Sequence, residues 1–428
     1  MSQLTGLLGV AVLIGIAMLF STNRKAVRPR IVLVGFGLQL VLAFLLIRFG
    51  PVRDAFEFLA TIVTKLLGFS HKGGDFIFGN LNQLGHPWGF VFAFQVLPTI
   101  VFFASLMSIL YHLGVMQRIV AALAWVLEKT LGVTGTEALA AAANVFVGQT
   151  EAPLCIKPYL PRMTQSQIML IMTGGFATIA GSVLAAYVGL LGGDDVESQT
   201  MFAKHLLTAS VMSAPGAFVM AKILLPETEQ PEPETTVRPV DVERGTVNIL
   251  DAAAAGATDG MKLAINVAAM LIAFVALIAL ADWPLGAIGT TSAGQWVASV
   301  LGLETLSISG LLGVLFTPVA WLMGIRGHDA VAIGELLGIG MVATEFLAYS
   351  SLREMIAEES ISPRAAIIVT YALCGFANFP SIAIQIGGLT AIAPERRSDF
   401  ARLGLRAMFG GALTCWMTGC IASLFIQV

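Results

Sequence analysis

Long apolar runs separated by short polar connections dominate this 428-residue sequence. A helix needs roughly 20 apolar residues to cross the hydrocarbon core of a bilayer. Only 12% of the residues are charged and the mean hydropathy is +0.84, whereas about 25% of a soluble domain is charged. The sequence therefore predicts an all-α membrane protein with eight transmembrane helices. The predicted spans are residues 4–20, 31–47, 90–112, 165–191, 203–225, 263–280, 365–392 and 401–425.

Basic residues predict the orientation. Four Lys and Arg residues lie between positions 24 and 30, directly after the first span, and loops rich in such residues stay in the cytoplasm. Both termini are therefore expected outside the cytoplasm, because eight crossings return the chain to its starting side. Two further stretches, 52–67 and 115–131, carry apolar residues on one helical face. They are expected to lie at the membrane surface.

Several classes of protein are excluded by the residues that the chain lacks. A formal net charge of −3 gives no basic field for nucleic acid. The four cysteines lie in apolar stretches without a CxxC pair and are expected to be free thiols. The absence of HExxH and GxSxG motifs argues against an intramembrane enzyme. A passive pore for neutral solutes rarely needs acidic residues inside the membrane, and this chain carries two in its apolar stretches, Glu151 and Glu345. A channel is therefore disfavoured as well.

Two apolar stretches are too short to cross the membrane twice and carry polar residues at their centres. The first, 134–161, holds the polar triplet 149–151, and the second, 329–350, holds Glu345. An intramembrane carboxylate costs at least about 2.5 kcal/mol on insertion scales, so it indicates function. Both stretches are predicted to be re-entrant helical hairpins whose tips face a binding site, since irregular backbone at membrane depth must be buried or line a cavity.

A similar polar interruption follows each hairpin, GGFATIAGS at 174–182 and CGFANFPSI at 374–382. The recurrence predicts a structural repeat, and the three full crossings between the hairpins invert its second copy. Inverted repeats with broken helices are typical of transporters, whose sites lie near the bilayer midplane. The predicted divisions of this single transport unit are amino-terminal helices (1–88), a first repeat (89–225), a cytoplasmic linker rich in Pro and Glu (226–247) and a second repeat (248–428).

The predicted site is rich in acceptors and amide groups and contains no Lys or Arg. These groups suit a neutral molecule with several hydroxyls and an amide-like edge, and the Phe176 or Phe376 ring could stack on it. The polar residues of this site are Gln149, Thr150, Glu151, Glu345, Asn378 and Ser381.

Oxygen atoms near the first hairpin could bind a coupling ion. The Asn144 side chain, the Thr178 hydroxyl and the carbonyls near Val147 and Ile179 would converge if the hairpin packs on the broken fourth span. Hard cations prefer such oxygen ligands, so the pattern suggests sodium.

Three motifs resemble the concentrative nucleoside transporters, in particular the bacterial, sodium-coupled type. They are NVFVGQTEAPL at 144–154, TEFLAY at 344–349 and CGFANFPSIAI at 374–384. The resemblance covers essentially the whole chain and includes SxNRKA at 21–26 and PERR at 394–397. It implies a homotrimer of eight-helix protomers with two re-entrant hairpins, in which a transport domain moves like an elevator against a scaffold.

The resemblance also implies a role for each site residue. Gln149, Thr150, Glu151, Val183 and Phe376 would surround the nucleobase, Glu345, Asn378 and Ser381 would hold the ribose, and Asn144, Val147, Thr178 and Ile179 would bind sodium. Two departures occur: threonine replaces a frequent serine at position 178, which keeps the hydroxyl, and Phe379-Pro380 replaces a Leu-Ser pair.

The predicted function is a sodium-coupled symporter that imports uridine-like nucleosides across the inner membrane. A proton-coupled nucleoside symporter is the alternative, because Glu151 or Glu345 could carry the proton.

Overall fold

The structure, a computed structural model, describes residues 2–82, 91–193, 195–231, 246–303 and 305–426. These residues are largely helical and contain no strand. The α-helices of the first half are α1 (Ser2–Leu19), α2 (Pro29–Ile47), α3 (Gly50–Phe78), α4 (Phe92–Gln95), α5 (Leu97–His112), α6 (Val115–Leu131), α7 (Gly135–Asn144), α8 (Gln165–Ala177), α9 (Gly181–Gly192) and α10 (Val196–Leu224). Those of the second half are α11 (Ile249–Gly289), α12 (Ser292–Leu301), α13 (Ile308–Leu322), α14 (His328–Val342), α15 (Glu345–Ala357), α16 (Pro363–Ala372), α17 (Phe379–Ile392) and α18 (Arg397–Phe425).

Helical segments long and apolar enough to span a bilayer occur throughout the described chain. Six reach that length: Pro29–Ile47, Ala93–His112, Gln165–Gly192, Val196–Leu224, Ile249–Gly289 and Pro394–Phe425. Three shorter apolar helices are Thr5–Leu19, Ile308–Leu322 and Phe379–Ile392. The chain is thus a multi-pass, all-helical membrane protein, and its number of crossings stays a prediction.

Three helices differ from the expectations. The predicted surface helix 52–67 is part of α3, which has 29 residues, and the predicted span 263–280 is the middle of α11, which has 41. Helix α13, which the sequence analysis did not count, packs extensively against α14. The sequence underestimates these lengths because an apolar window ends at the first polar residue, whereas a helix continues through polar residues that suit its surface.

The first predicted hairpin is α-helical on its first limb only. A capping box, in which Thr134 and Glu137 bond each other's backbone amides, begins α7, and α7 ends at Asn144. Three prolines between positions 153 and 161 prevent an α-helical return limb, since proline lacks the amide and clashes with the preceding turn. The return limb consists of two 3₁₀ helices, Ala152–Ile156 and Leu160–Arg162.

The second predicted hairpin comprises α14 and α15, which meet at Ala343 and Thr344. The Thr344 hydroxyl accepts a hydrogen bond from the Leu347 amide at 3.3 Å and thereby caps α15. Since α15 continues to Ala357, the second limb is longer than the predicted boundary at residue 350.

Both predicted interruptions are breaks between two helices. The first lies between α8 and α9 and the second between α16 and α17. Pro380 lies in the first turn of α17, where a missing amide leaves no hydrogen bond unmade. It therefore lies at the start of a helix, directly after the predicted interruption. Helices α8 and α9 pack on α10, and α16 and α17 pack on α18.

A buried ionic cluster holds the base of the first hairpin. The Lys222 ammonium group at the end of α10 pairs with Glu137 and, at 3.6 Å, with Glu227. All three side chains are at most 6% exposed. Thr164 donates to Glu227 at 2.8 Å, so the beginning of the predicted linker 226–247 is packed. Residues 232–245 of this linker lie outside the described residues.

We expect Lys222→Met to destabilise the protein strongly. The change leaves Glu137 and Glu227 buried without their cation, and removal of one partner from a buried ion pair costs about 3–5 kcal/mol. The matched control is Lys262→Met, because Lys262 pairs with Asp259 on the surface, where the side chains are 68% and 74% exposed. An exposed pair contributes about 0–1 kcal/mol. Thermal unfolding in detergent measures both variants, and equal losses of stability would contradict the expectation.

Candidate functional site

Asn144 is the last residue of α7 and lies at the base of the hairpin tip. Its side chain is 1% exposed, and neither Oδ1 nor Nδ2 has a hydrogen-bond partner among the described residues. Asn144 lies against the last turn of α8, since a Cβ on Gly174 would be 3.2 Å from its Nδ2. Buried amide groups normally have partners, and unpaired ones need an explanation such as an ion.

The break between α8 and α9 lies beside this asparagine. The Thr178 hydroxyl donates to the Gly174 carbonyl at 2.9 Å, and the Gly181 amide donates to the Phe146 carbonyl at 3.0 Å. The carbonyls of Val147 and Ile179 accept no hydrogen bond within the described part of the chain. The hairpin tip is thus bonded to the break, and free oxygen atoms are available on both segments.

Gln149 and Thr150 pack between α8 and α17. A Cβ on Gly175 would come within 2.8 Å of the Gln149 Cβ, and one on Gly388 within 2.5 Å of the Thr150 Cγ2. The glycines therefore permit contact between the tip and both broken helices. Gln385, one turn after Ser381 in α17, donates to the Met172 carbonyl at 3.1 Å and fixes α17 against α8.

Glu151 faces a different environment. It lines a cavity of about 300 Å³ whose wall is formed by the tip, α5, α11 and the start of α9. Tyr111 and Ser182 contribute polar groups to the same cavity. A volume near 300 Å³ is at the lower end of small-molecule sites.

Glu345, Asn378 and Ser381 form a second cluster. The Asn378 amide nitrogen donates to Glu345 Oε2 at 2.6 Å, and the Ser381 backbone amide donates to the Asn378 side-chain oxygen at 2.8 Å. Tyr187 of α9 donates its hydroxyl to Glu345 Oε1 at 2.6 Å. The structure thus brings the three residues together, and no hydrogen bond between described residues joins this cluster to the 149–151 triplet.

The remaining predicted residues are partly separate. Val183 is buried in the first turn of α9, and Phe376 is half-buried in the break before α17. Sequence reasoning missed Tyr187 and Gln385. Each follows a predicted site residue by one helical turn, at the i+4 position on the same face. That spacing is the signal that could have revealed them.

Family comparisons cover most of the chain. The model for the "Na+ dependent nucleoside transporter C-terminus" matches residues 205–423, more than half of the sequence, and the corresponding N-terminal model matches residues 8–81. A third model, "Nucleoside recognition", matches residues 93–194. The chain belongs to the concentrative, Na⁺-dependent nucleoside transporters. It is accordingly a transporter, as the motifs predicted.

Relatives of known sequence or structure align with this nucleoside transporter over almost its whole length. An uncharacterised transporter of Haemophilus influenzae is 42% identical, over 100% of this chain and 98% of its own. Sodium/nucleoside cotransporter 1 of Rattus norvegicus is 40% identical, over 99% of this chain and 64% of its own. A structure of CNTnw in an inward-facing substrate-bound state is 42% identical and superimposes with a TM-score of 0.88, over 99% of this chain and 98% of that one.

Gly388→Ala is expected to weaken nucleoside transport because its methyl group meets Thr150 at 2.5 Å. Overpacking of this kind costs about 1–3 kcal/mol, here by displacing the hairpin tip. Gly387→Ala is the matched control in the same helix, since a Cβ there meets nothing within 4 Å. Uridine uptake by proteoliposomes should show a several-fold higher KM for Gly388→Ala alone. Equal uptake by both variants would show that the contact with Thr150 is unimportant.

Proposed function

We propose that this transporter is a secondary active symporter that imports uridine-like nucleosides across the inner membrane, coupled to sodium, by an elevator-type alternating-access mechanism. The observation that carries the proposal is Asn144, a buried amide that has no hydrogen-bond partner among the described residues and lies at the junction of the hairpin tip and the broken helix. The same tip presents Gln149 and Thr150, so one short segment can respond to both an ion and a substrate.

Sodium would bind between Asn144, the Thr178 hydroxyl and the carbonyls of Val147 and Ile179. The residues fit the ion, because all four offer oxygen ligands and the buried Asn144 oxygen has no partner in the part of the chain that the structure describes. Bound sodium supplies a fixed positive charge that holds these oxygens together. The hydrogen bond from the Gly181 amide to the Phe146 carbonyl holds the hairpin tip beside the α8–α9 break and so brings these oxygens together.

The nucleoside would bind between the two clusters. Gln149 and Thr150, with Glu151, Val183 and Phe376, would surround the base, since amide and hydroxyl groups match its donors and acceptors. The ribose hydroxyls would donate to Glu345, while Asn378 and Ser381 complete that side. Glu151 lines the 300 Å³ cavity, which we assign as the route by which the solute reaches or leaves the site.

Coupling would arise from order in the hairpin tip. Asn144 and Gln149 are five positions apart in the sequence, so an ion that fixes the end of α7 also fixes the residues that meet the base. A nucleoside would then bind more tightly to the sodium-bound form, and by linkage sodium would bind more tightly in the presence of nucleoside.

The proposal includes the assembly of the protein and its orientation in the membrane. Helix α11 has an exposed apolar surface, with Ile272 at 74%, Leu280 at 63% and Trp283 at 78% exposure, which suits lipid and neighbouring protomers of a homotrimer. Both termini would lie outside the cytoplasm. The division into residues 1–88, 89–225, 226–247 and 248–428 is retained, with the two later repeats inverted relative to each other.

Uridine uptake into proteoliposomes tests the function. We expect accumulation with an imposed sodium gradient and none with a proton gradient or without a gradient. One charge moving through 100 mV supplies about 2.3 kcal/mol, which corresponds to an accumulation of some tens-fold at about 1.4 kcal/mol per factor of ten. Accumulation with protons alone would assign coupling to a carboxylate instead, and no uptake of any nucleoside would refute the proposal.

Substitutions at the sodium residues test the coupling site. Thr178→Val removes the hydroxyl at nearly constant volume, whereas Thr178→Ser keeps it, so only the valine variant should need a much higher sodium concentration for half-maximal uptake. Asn144→Ala should have the larger effect, because it removes the buried oxygen. Sodium titrations of uridine uptake measure all three. An unchanged sodium dependence in Asn144→Ala would place the ion elsewhere.

A further inference from the structure

Glu345 receives a hydrogen bond on each of its oxygen atoms. Tyr187 donates its hydroxyl to Oε1, and Asn378 donates its amide to Oε2, both at 2.6 Å. The Glu345 residue is 6% exposed, and no Lys, Arg or His among the described residues forms an ion pair with it. Short hydrogen bonds from neutral donors are therefore the interactions that satisfy this carboxyl group.

The Tyr187 ring is held in place by aromatic packing. It is fully buried and lies 4.4 Å from the Tyr349 ring and 5.5 Å from the Phe346 ring, between ring centroids. The Tyr349 hydroxyl donates to the Thr370 carbonyl at 2.9 Å. The direction of the Tyr187 hydroxyl is thus fixed by rings of α15, although Tyr187 itself belongs to α9. The hydrogen bond from Tyr187 to Glu345 therefore joins the broken helix of the first half to the second hairpin.

The Asn378 side chain is fixed by a hydrogen bond to the backbone of its own helix. Its side-chain oxygen accepts the Ser381 amide at 2.8 Å, which leaves its NH₂ group to face Glu345. A carboxylate offers about four lone-pair positions, and the two donors occupy one on each oxygen. Two positions remain for hydroxyl donors of a ligand.

We propose that Tyr187 is a positioning residue for ribose recognition. Its hydroxyl orients the Glu345 carboxyl group so that the two free lone pairs meet the ribose hydroxyls, and it stabilises the acceptor without a competing cation. The inference rests on the proposed binding of the ribose by Glu345. It adds that a residue of the first half, which need not touch the nucleoside, determines affinity for the sugar.

Tyr187→Phe tests the inference because it keeps the ring and removes only the hydroxyl. The KM for uridine should rise about tenfold or more, the usual range for a hydrogen bond to a charged group. The KM for 2′,3′-dideoxyuridine should change less than about twofold, because that substrate brings no ribose hydroxyl to these lone pairs. Equal increases for both substrates, or no increase for uridine, would overturn the inference.

Tyr349→Phe is the matched control. It removes a hydroxyl from the neighbouring ring, but that hydroxyl donates to a backbone carbonyl and not to Glu345. Any change in KM should then be the same for uridine and 2′,3′-dideoxyuridine. A preference change in Tyr349→Phe as large as that in Tyr187→Phe would assign the effect to packing and overturn the inference.

The same substitution in a Glu345→Gln protein separates the proposed role from a general loss of stability in Tyr187→Phe. In Glu345→Gln the charge is removed but an amide oxygen can still accept the Tyr187 hydroxyl, so adding Tyr187→Phe should raise the dissociation constant for uridine less than it does in the wild-type background. An equal loss of affinity in both backgrounds would show that Tyr187 acts independently of Glu345 and would overturn the inference. If the wild-type protein takes up no nucleoside, the proposed function fails. Normal wild-type uptake together with an unchanged KM for uridine in Tyr187→Phe rejects only the inference.

Discussion

A helix that stops within a membrane leaves backbone groups unpaired, and lipid offers them no partner. Both broken helices of this transporter meet that constraint with polar contacts, the first from the hairpin tip and the second from a local cap. The Gly181 amide at the first break donates to the carbonyl of Phe146 in the hairpin tip, and the Asn378 side chain at the second break caps the Ser381 amide. The contacts that make the breaks tolerable are therefore also the contacts that position the candidate site.

Close approach depends on residues without side chains. A Cβ at Gly175 or Gly388 would collide with the hairpin tip, so these glycines determine how deeply Gln149 and Thr150 can lie between α8 and α17. The buried ionic cluster around Lys222 fixes the opposite end of the hairpin. The hairpin tip is thus held by close packing against glycines, and its base is held by buried ion pairs. This arrangement suits the proposed coupling, in which sodium orders the tip.

Much of the fold could be predicted because membrane helices and their interruptions have strong local signals. The polar residues at 178 and 378 lie at helix breaks, and Thr134 begins α7 as a cap. Other features have no local signal. Glu227 belongs to a segment whose composition suggests disorder, yet it is buried because Lys222 and Thr164 lie beside it. Tyr187 looks like an ordinary residue of an apolar helix until Glu345, 158 positions later, is placed beside it.

The sequence by itself determined the membrane environment, the helical class, the transporter family and the positions of the polar interruptions, because hydropathy and short motifs are properties of neighbouring residues. Only the tertiary structure decided which interruptions meet. It separates Glu151, at the cavity beside α5 and α11, from Glu345, which lies with Tyr187 and Asn378. The physical reason is that hydrogen bonds and steric contacts act over a few ångströms in space, between groups whose separation along the chain can exceed a hundred residues.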